Sequence, residues 1–173
     1  NSGLGVDDLP PLENFDAAFL SGYSLFNPLS TPGVSEIIAE IKSAKIPLFF
    51  DPASVGTMSH FDRDRALSYL KQMDVILPNE EEALFLTDQN DIEAAIQDLQ
   101  KHCPVVVVKR GDKGAMAVGH GSTIITSPVD KIDPLDTTGA GDAFVGSFAY
   151  ALASGKDPID AMKLGVSVAS LSV

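Results

Sequence analysis

The segment Asp136-Thr137-Thr138-Gly139-Ala140-Gly141-Asp142 runs straight into the apolar stretch Ala143-Phe144-Val145-Gly146-Ser147-Phe148-Ala149-Tyr150-Ala151-Leu152. Two glycines with one alanine between them let the backbone turn sharply and point its N–H groups outward. The helix that follows adds its own unpaired amides and the positive end of its dipole at the same spot. Such a place attracts anions, phosphate above all. Asp142, a carboxylate beside that spot, reads as a base that activates a hydroxyl for phosphoryl transfer. The plainer reading is an ordinary turn into a helix, with Asp142 as a first-turn acid favoured by the dipole. A dinucleotide-binding fingerprint is excluded, because the third glycine, Gly146, comes five residues after Gly141 and no strand leads directly into the turn. A P-loop is excluded too, since no Gly-Lys-Ser/Thr occurs in the chain.

The rest of the chain supplies a frame for such a turn. Asn1–Asn14 reads as loop. Phe15–Tyr23 reads as a short buried strand ending at a functional edge, and Pro47–Phe50, Asp74–Leu77 and the fully apolar Val105–Val108 read as further strands. Helices are expected at Gly33–Ala44, with Val34, Ile37, Ile38 and Ile41 on one face, at Phe61–Met73 and at Asp91–His102. Ala115–Gly119 and Ser122–Ser127 read as a hairpin around Gly119–Ser122. Gly139–Ser154 reads as a central helix in which Gly146 and Ser147 let another element come close. Gly155 stops it. Asp157 and Pro158 start a last, nearly apolar helix built on Ile159, Met162, Val166, Val168, Ala169 and Leu171. Helices alternating with short apolar strands predict an α/β fold, a mainly parallel sheet flanked by helices with a C-terminal β-hairpin.

Three further positions have two readings each. Asp51, at a strand end, is a turn acid or a site residue. Asn79 and Glu82 have the spacing of a helix-capping pair. Lys109–Gly114 is a solvated turn or a ligand loop.

Charge and composition exclude several classes. Twelve Lys and Arg against 24 Asp and Glu give a formal charge of −12, which argues against nucleic acid or an anionic membrane as partner. Any anion would have to be met by local positive potential, which backbone amides supply without lysines. One cysteine, Cys103, cannot form an internal disulfide, and it sits in an apolar setting that suggests packing. His60, His102 and His120 show no zinc-ligand spacing. No apolar run approaches the roughly 18 to 20 residues of a membrane span, and no signal peptide is visible. A cytoplasmic location is the expectation.

The nine residues Asp136–Phe144 (Asp-Thr-Thr-Gly-Ala-Gly-Asp-Ala-Phe) resemble the C-terminal signature of the ribokinase-like (PfkB) carbohydrate kinases. The resemblance implies an ATP-dependent kinase that phosphorylates a hydroxyl of a sugar, sugar acid or nucleoside. It makes Asp142 the general base and the Gly139, Ala140, Gly141 and Asp142 amides the anion hole. It implies Mg²⁺ held through water by Glu82, nucleotide contacts from Asn79, Lys109, Gly111 and Gly114, and a monovalent-cation (K⁺) site at Asp136 and Thr138. This chain departs from many relatives in having Ala-Ser-Val after Pro52, and lysine at position 109 where threonine is common. Rival readings are a vitamin-precursor kinase of the same superfamily and a non-catalytic nucleotide-binding module. Residues 1–173 are expected to be the C-terminal part of a single ribokinase-like domain, without the N-terminal part, the lid and the last segment. Such a piece is expected to be inactive or poorly folded alone, and a full-length protein could pair as a homodimer.

Overall fold

Strands that are apolar on both faces need cover on both, and the architecture follows from meeting that need. The computed structural model describes residues 4–121, 123–129 and 136–173. After two short 3-10 turns (Val6–Asp8 and Leu12–Asn14) come β1 (Ala18–Ser21), α1 (Gly22–Leu25), α2 (Thr31–Ser43), β2 (Leu48–Asp51), α3 (Val55–Met58), α4 (Arg63–Leu70) and β3 (Val75–Ile76). Then follow α5 (Glu80–Thr87), α6 (Ile92–Gln100), β4 (Val105–Lys109), a 3-10 turn (Gly111–Lys113), β5 (Ala115–Val118), β6 (Ile125–Ser127), α7 (Ala140–Ala153) and α8 (Pro158–Leu171). The six strands form one mixed sheet in chain order: β1 to β4 are parallel, and β5 and β6 are antiparallel additions. The expected mainly parallel sheet with a hairpin is therefore present. No described helix is long and apolar enough to cross a membrane.

Alternation along each strand divides the core in two. Leu48 and Phe50, Val106 and Val108, and Met116 and Val118 face a layer made by α2, α4, α5 and α6. Phe49, Val105, Val107, Ala115 and Ala117 face the layer of α7 and α8. A side-chain period of two produces this split. The three crossovers joining β1 to β4 share one face, as expected when strands are added in a single direction with a single hand.

Local chemistry sets the helix limits. The segment expected as helical from Phe61 to Met73 is helical only over Arg63–Leu70. Asp62 caps its start by accepting from the Arg65 N–H at 2.7 Å, and tight bonds from Gln72 and Met73 N–H to the Tyr69 and Leu70 carbonyls end it. At the end of α7, Gly155 adopts φ +83° and its N–H reaches the Leu152 carbonyl. Asp157 caps α8 through the Ile159 and Asp160 N–H groups.

Some expectations need correction. The strand expected over Phe15–Tyr23 is confined to Ala18–Ser21 and is not wholly buried: Leu20 is covered, while Phe19 is 53% exposed. β1 lies at the sheet edge, and Ser21 leaves it to cap α1 through the Tyr23 N–H. Leu171, expected in the apolar face of the last helix, is 86% exposed near its end. Ser122, in the expected hairpin turn, lies outside the described residues.

Close approach in the α7–α8 layer also occurs at a different glycine. Nothing lies within 4 Å of a Cβ built on Gly146, whereas one on Gly165 of α8 would meet the Phe144 ring at 2.9 Å. Phe144 and Phe148 stack at 6.2 Å, and Phe148 meets Phe49 of β2 edge-on. Leu152 and Ala153, at the far end of α7, share a groove with Phe49, Val75 and Val105, which lie near the starts of their strands. α7 thus runs against the parallel strands, and its N-terminus lies toward their carboxyl ends. The two glycines should respond oppositely to alanine in urea unfolding. Gly165→Ala should lose roughly 1–3 kcal/mol through overpacking, while Gly146→Ala should gain about 0.5–1 kcal/mol from reduced chain entropy.

Candidate functional site

The carboxyl edge of the parallel strands gathers the polar groups that the sheet interior excludes. β2 ends in Asp51, the chain continues beyond β3 through Leu77 and Pro78 to Asn79, and β4 ends in Lys109. The Lys109 N–H donates to the Pro78 carbonyl at 2.9 Å, and Asn79 and Lys109 form an isolated parallel bridge. The backbone around Lys109 is thereby tied to the start of α5.

Asp51 combines both of its possible parts. One carboxylate oxygen accepts from the Ala53 N–H at 2.9 Å, shaping a turn in which Ala53 sits at φ +73°. The other pairs with the Lys109 ammonium. These side chains are 15% and 18% exposed.

Asn79 and Glu82 form the capping pair: Asn79 Oδ1 accepts from the Glu82 N–H, and Glu82 Oε2 from the Asn79 N–H, both at 2.8 Å. Glu82 is buried, and loss of hydration, aided by the nearby negative charge of Asp51, pushes its carboxyl above the usual range. The Asn79 N–H and the Lys109 ammonium oppose that rise. Glu80, on the same turn, takes Arg110 Nε and Nη2 at 3.1 and 3.2 Å, and the Arg110 hydrogen bond holds its carboxyl below the usual range.

The two glycines of the loop after β4 differ. Gly111 adopts φ +57° with open space at its Cβ position. Gly114 adopts φ +82°, and a Cβ there would strike the Ser127 carbonyl oxygen at 2.1 Å. Its close approach is thus to the chain's own β6.

At the head of α7, Gly139 occupies the N-cap with φ +83° and accepts the Ala143 N–H, while the Ala140 N–H reaches back to Thr137. Asp142 stands on the first turn. Asp136, Thr137, Thr138, Gly139, Gly141 and Asp142 are all exposed, and among the described residues nothing beyond the neighbouring backbone lies within 4 Å of a Cβ built on Gly139 or Gly141. The bend is therefore open, and its acid faces solvent. Asp136 Oδ1 accepts from the Thr138 N–H at 2.8 Å, and hydrogen bonds from Thr138 hold its carboxyl below the usual range.

The structure thus brings Asp51, Asn79, Glu82 and Lys109 to one edge and turns the α7 N-terminus toward the same side. Two links were missed by sequence reasoning. Asp51–Lys109 spans 58 positions, and its only signal was that both residues terminate apolar strands. Glu80–Arg110 joins residues 30 positions apart, and nothing in the run of three glutamates marks which one faces the arginine. The donors at this edge are carboxylates, hard oxygens suited to Mg²⁺. Among the described residues no three His, Cys, Asp or Glu side chains converge as metal ligands. Cys103 is buried, with its thiol pushed up to about 12 by lost hydration, and takes no part.

Comparison with known proteins adds the following. The sequence pattern of the pfkB family of carbohydrate kinases matches residues 3–173. A fructokinase from Vibrio alginolyticus is 31% identical over 159 residues, covering 89% of this chain and 51% of the relative. The structure resembles that of a fructokinase from Vibrio cholerae O395 with fructose, ADP and calcium ion bound (TM-score 0.81, 27% identity, 99% of this chain and 58% of that one). It also resembles a putative ribokinase II from E. coli in complex with ATP and Mg²⁺ (TM-score 0.82, 25% identity, 94% and 53%). The chain spans about half the length of the curated relatives it matches.

Glu82 makes stability depend on pH with a definite sign. Its carboxyl is raised in the fold, so between the ordinary carboxylate value and the raised one the folded state holds a proton that the unfolded chain releases, and stability falls as pH rises. Urea melts from acid to neutral pH should show that loss in the wild type. Glu82→Gln, which keeps an acceptor for the Asn79 N–H, should flatten it.

Proposed function

The chain belongs to the pfkB family of carbohydrate kinases, and on that premise we propose that its protein transfers the γ-phosphoryl group of ATP to a hydroxyl of a sugar, sugar acid or nucleoside. Residues 1–173 are read as the C-terminal part of a single ribokinase-like kinase domain. The observation that carries the reading is the open bend at the head of α7, with Asp142 exposed on its first turn.

In this reading Asp142 takes the proton from the acceptor hydroxyl as its oxygen attacks the γ-phosphorus, and ADP leaves. General-base help of this kind is worth ~10²–10⁴ in rate. The amides of Gly139, Ala140, Gly141 and Asp142 receive the charge that spreads over the phosphoryl oxygens, and one such donor is worth about 3–4 kcal/mol. Those of Gly141 and Asp142 are held by the first turn of the helix, whereas the Ala140 N–H donates to the Thr137 carbonyl at 3.2 Å and would share or exchange that bond. In an acidic chain this backbone potential meets the phosphates without a lysine cluster. Asn79, Lys109 and Gly111 line the approach for the nucleotide from the β3 and β4 ends, and Gly114 shapes the loop that carries Gly111.

Mg²⁺, when bound, neutralises phosphate charge. Glu82 would hold it through water. The residue's burial and capping bond fit an indirect role better than direct ligation. Asp136 and Thr138, exposed at the bend, are the proposed monovalent-cation ligands.

The test is a panel of sugars, sugar acids and nucleosides with coupled detection of ADP, run on the full-length protein. One acceptor should turn over, and Asp142→Asn should cut kcat by ~10²–10⁴ while leaving nucleotide affinity nearly unchanged. Wild-type turnover in Asp142→Asn would remove Asp142 from its role.

A further inference from the structure

The Asp51–Lys109 pair is not accounted for by the chemistry above. Of the ion pairs among the described residues it has the least exposed partners, and it bridges the ends of β2 and β4 across the end of β3. The buried carboxylate of Glu82 adjoins this pair: it accepts from the Asn79 N–H at 2.8 Å, and Asn79 is bridged to Lys109. Three charged groups thus share one poorly hydrated corner. The lysine is the cation that keeps the two carboxylates tolerable together.

Separating a pair in such a place is costly, because each partner is left as an uncompensated charge. A phosphate arriving alone could draw the ammonium away only by leaving Asp51 beside Glu82 with no cation between them. A divalent cation arriving alone would have to settle among these carboxylates with the ammonium still present, two positive charges repelling at short range. A cation already carried on phosphates removes both penalties: the phosphates take Lys109 while the metal faces the carboxylates.

We infer that the Lys109–Asp51 pair is a place-holder for the metal–phosphate unit of a nucleotide, which makes this edge bind the metal–nucleotide complex while resisting free nucleotide and free metal. Lys109 acts here as a positioning residue and an internal counter-ion. The inference rests on the kinase reading but concerns how the nucleotide is selected. Linkage requires the effect to be mutual: metal tightens nucleotide by the same factor by which nucleotide tightens metal.

The test uses the full-length protein, with ADP titrated by calorimetry in EDTA and in saturating Mg²⁺, and Mn²⁺ alone followed by its electron-spin signal. Asp51→Asn keeps an oxygen for the Ala53 N–H, and a thermal melt checks its fold. It should bind metal-free ADP about tenfold more tightly, since Lys109 is released to the phosphates, and should gain less from Mg²⁺ than the wild type. Lys109→Met should bind Mn²⁺ alone about tenfold more tightly and metal-free ADP more weakly. Metal-free ADP affinity in Asp51→Asn within about twofold of the wild type would overturn the inference whatever Lys109→Met does. If the wild type binds Mg·ADP and that affinity does not move, the place-holder falls and the kinase reading stands. If the wild type binds no nucleotide with or without metal, both fall.

Discussion

A parallel strand has no side to spare for water. Phe49 and Phe50, or Val105 through Val108, present apolar atoms to both faces of the sheet, so each face must carry its own layer of helices. Once both faces are covered, the places left for polar chemistry are the sheet's edges and the ends of its strands. The carboxyl ends receive Asp51, Asn79 and Lys109 for this reason, and α7, laid against the strands through Phe144 and Phe148, delivers its N-terminus to the same side. The position of the candidate site is thus a consequence of how the core is covered.

Much of this was legible in the order of the residues. Apolar runs marked the strands, the Val34-Ile37-Ile38-Ile41 stripe marked the buried face of α2, and Gly155, Asp157 and Pro158 marked the break between α7 and α8, because each of these signals acts over a few residues. The open bend at Gly139–Asp142 was legible for the same reason. Features set by distant partners were not. The sequence points to Gly146 for close packing, and only the placement of Phe144 makes Gly165 the one that must lack a side chain. The sequence does not show that Gly114 must lack a side chain to clear the Ser127 carbonyl. Phe19 has the composition of a core residue and is 53% exposed on β1, the outermost strand among the described residues, a matter of placement in the sheet and not of local sequence.

The charges at the carboxyl edge follow one pattern. Each acid drawn inward has a fixed positive partner or an amide: Asp51 has Lys109, Glu80 has Arg110, and Glu82 has the Asn79 N–H. Asp142 and Asp136 remain exposed to solvent. In a chain of formal charge −12 this arrangement separates acids that hold the fold from acids open to partners. Sequence alone does not sort the two groups, since Glu80, Glu81 and Glu82 are identical in kind and differ only in which way their helix turns them.

The chain order of the strands also bears on synthesis. β1 to β4 follow one another in space as they do in sequence, so each can dock on its predecessor as it leaves the ribosome, and its crossover helices close the first face along the way. Among the described residues the second face takes its cover from α7 and α8, the last helices of this stretch to be made. Val107 emerges about 40 residues before Phe148 and Phe49 about 100 before it, which at roughly 5–20 residues per second puts between a few and about 20 seconds between these side chains and the helix layer that buries them. The second half of the core is thus completed by the end of this stretch, however early its strands were laid down.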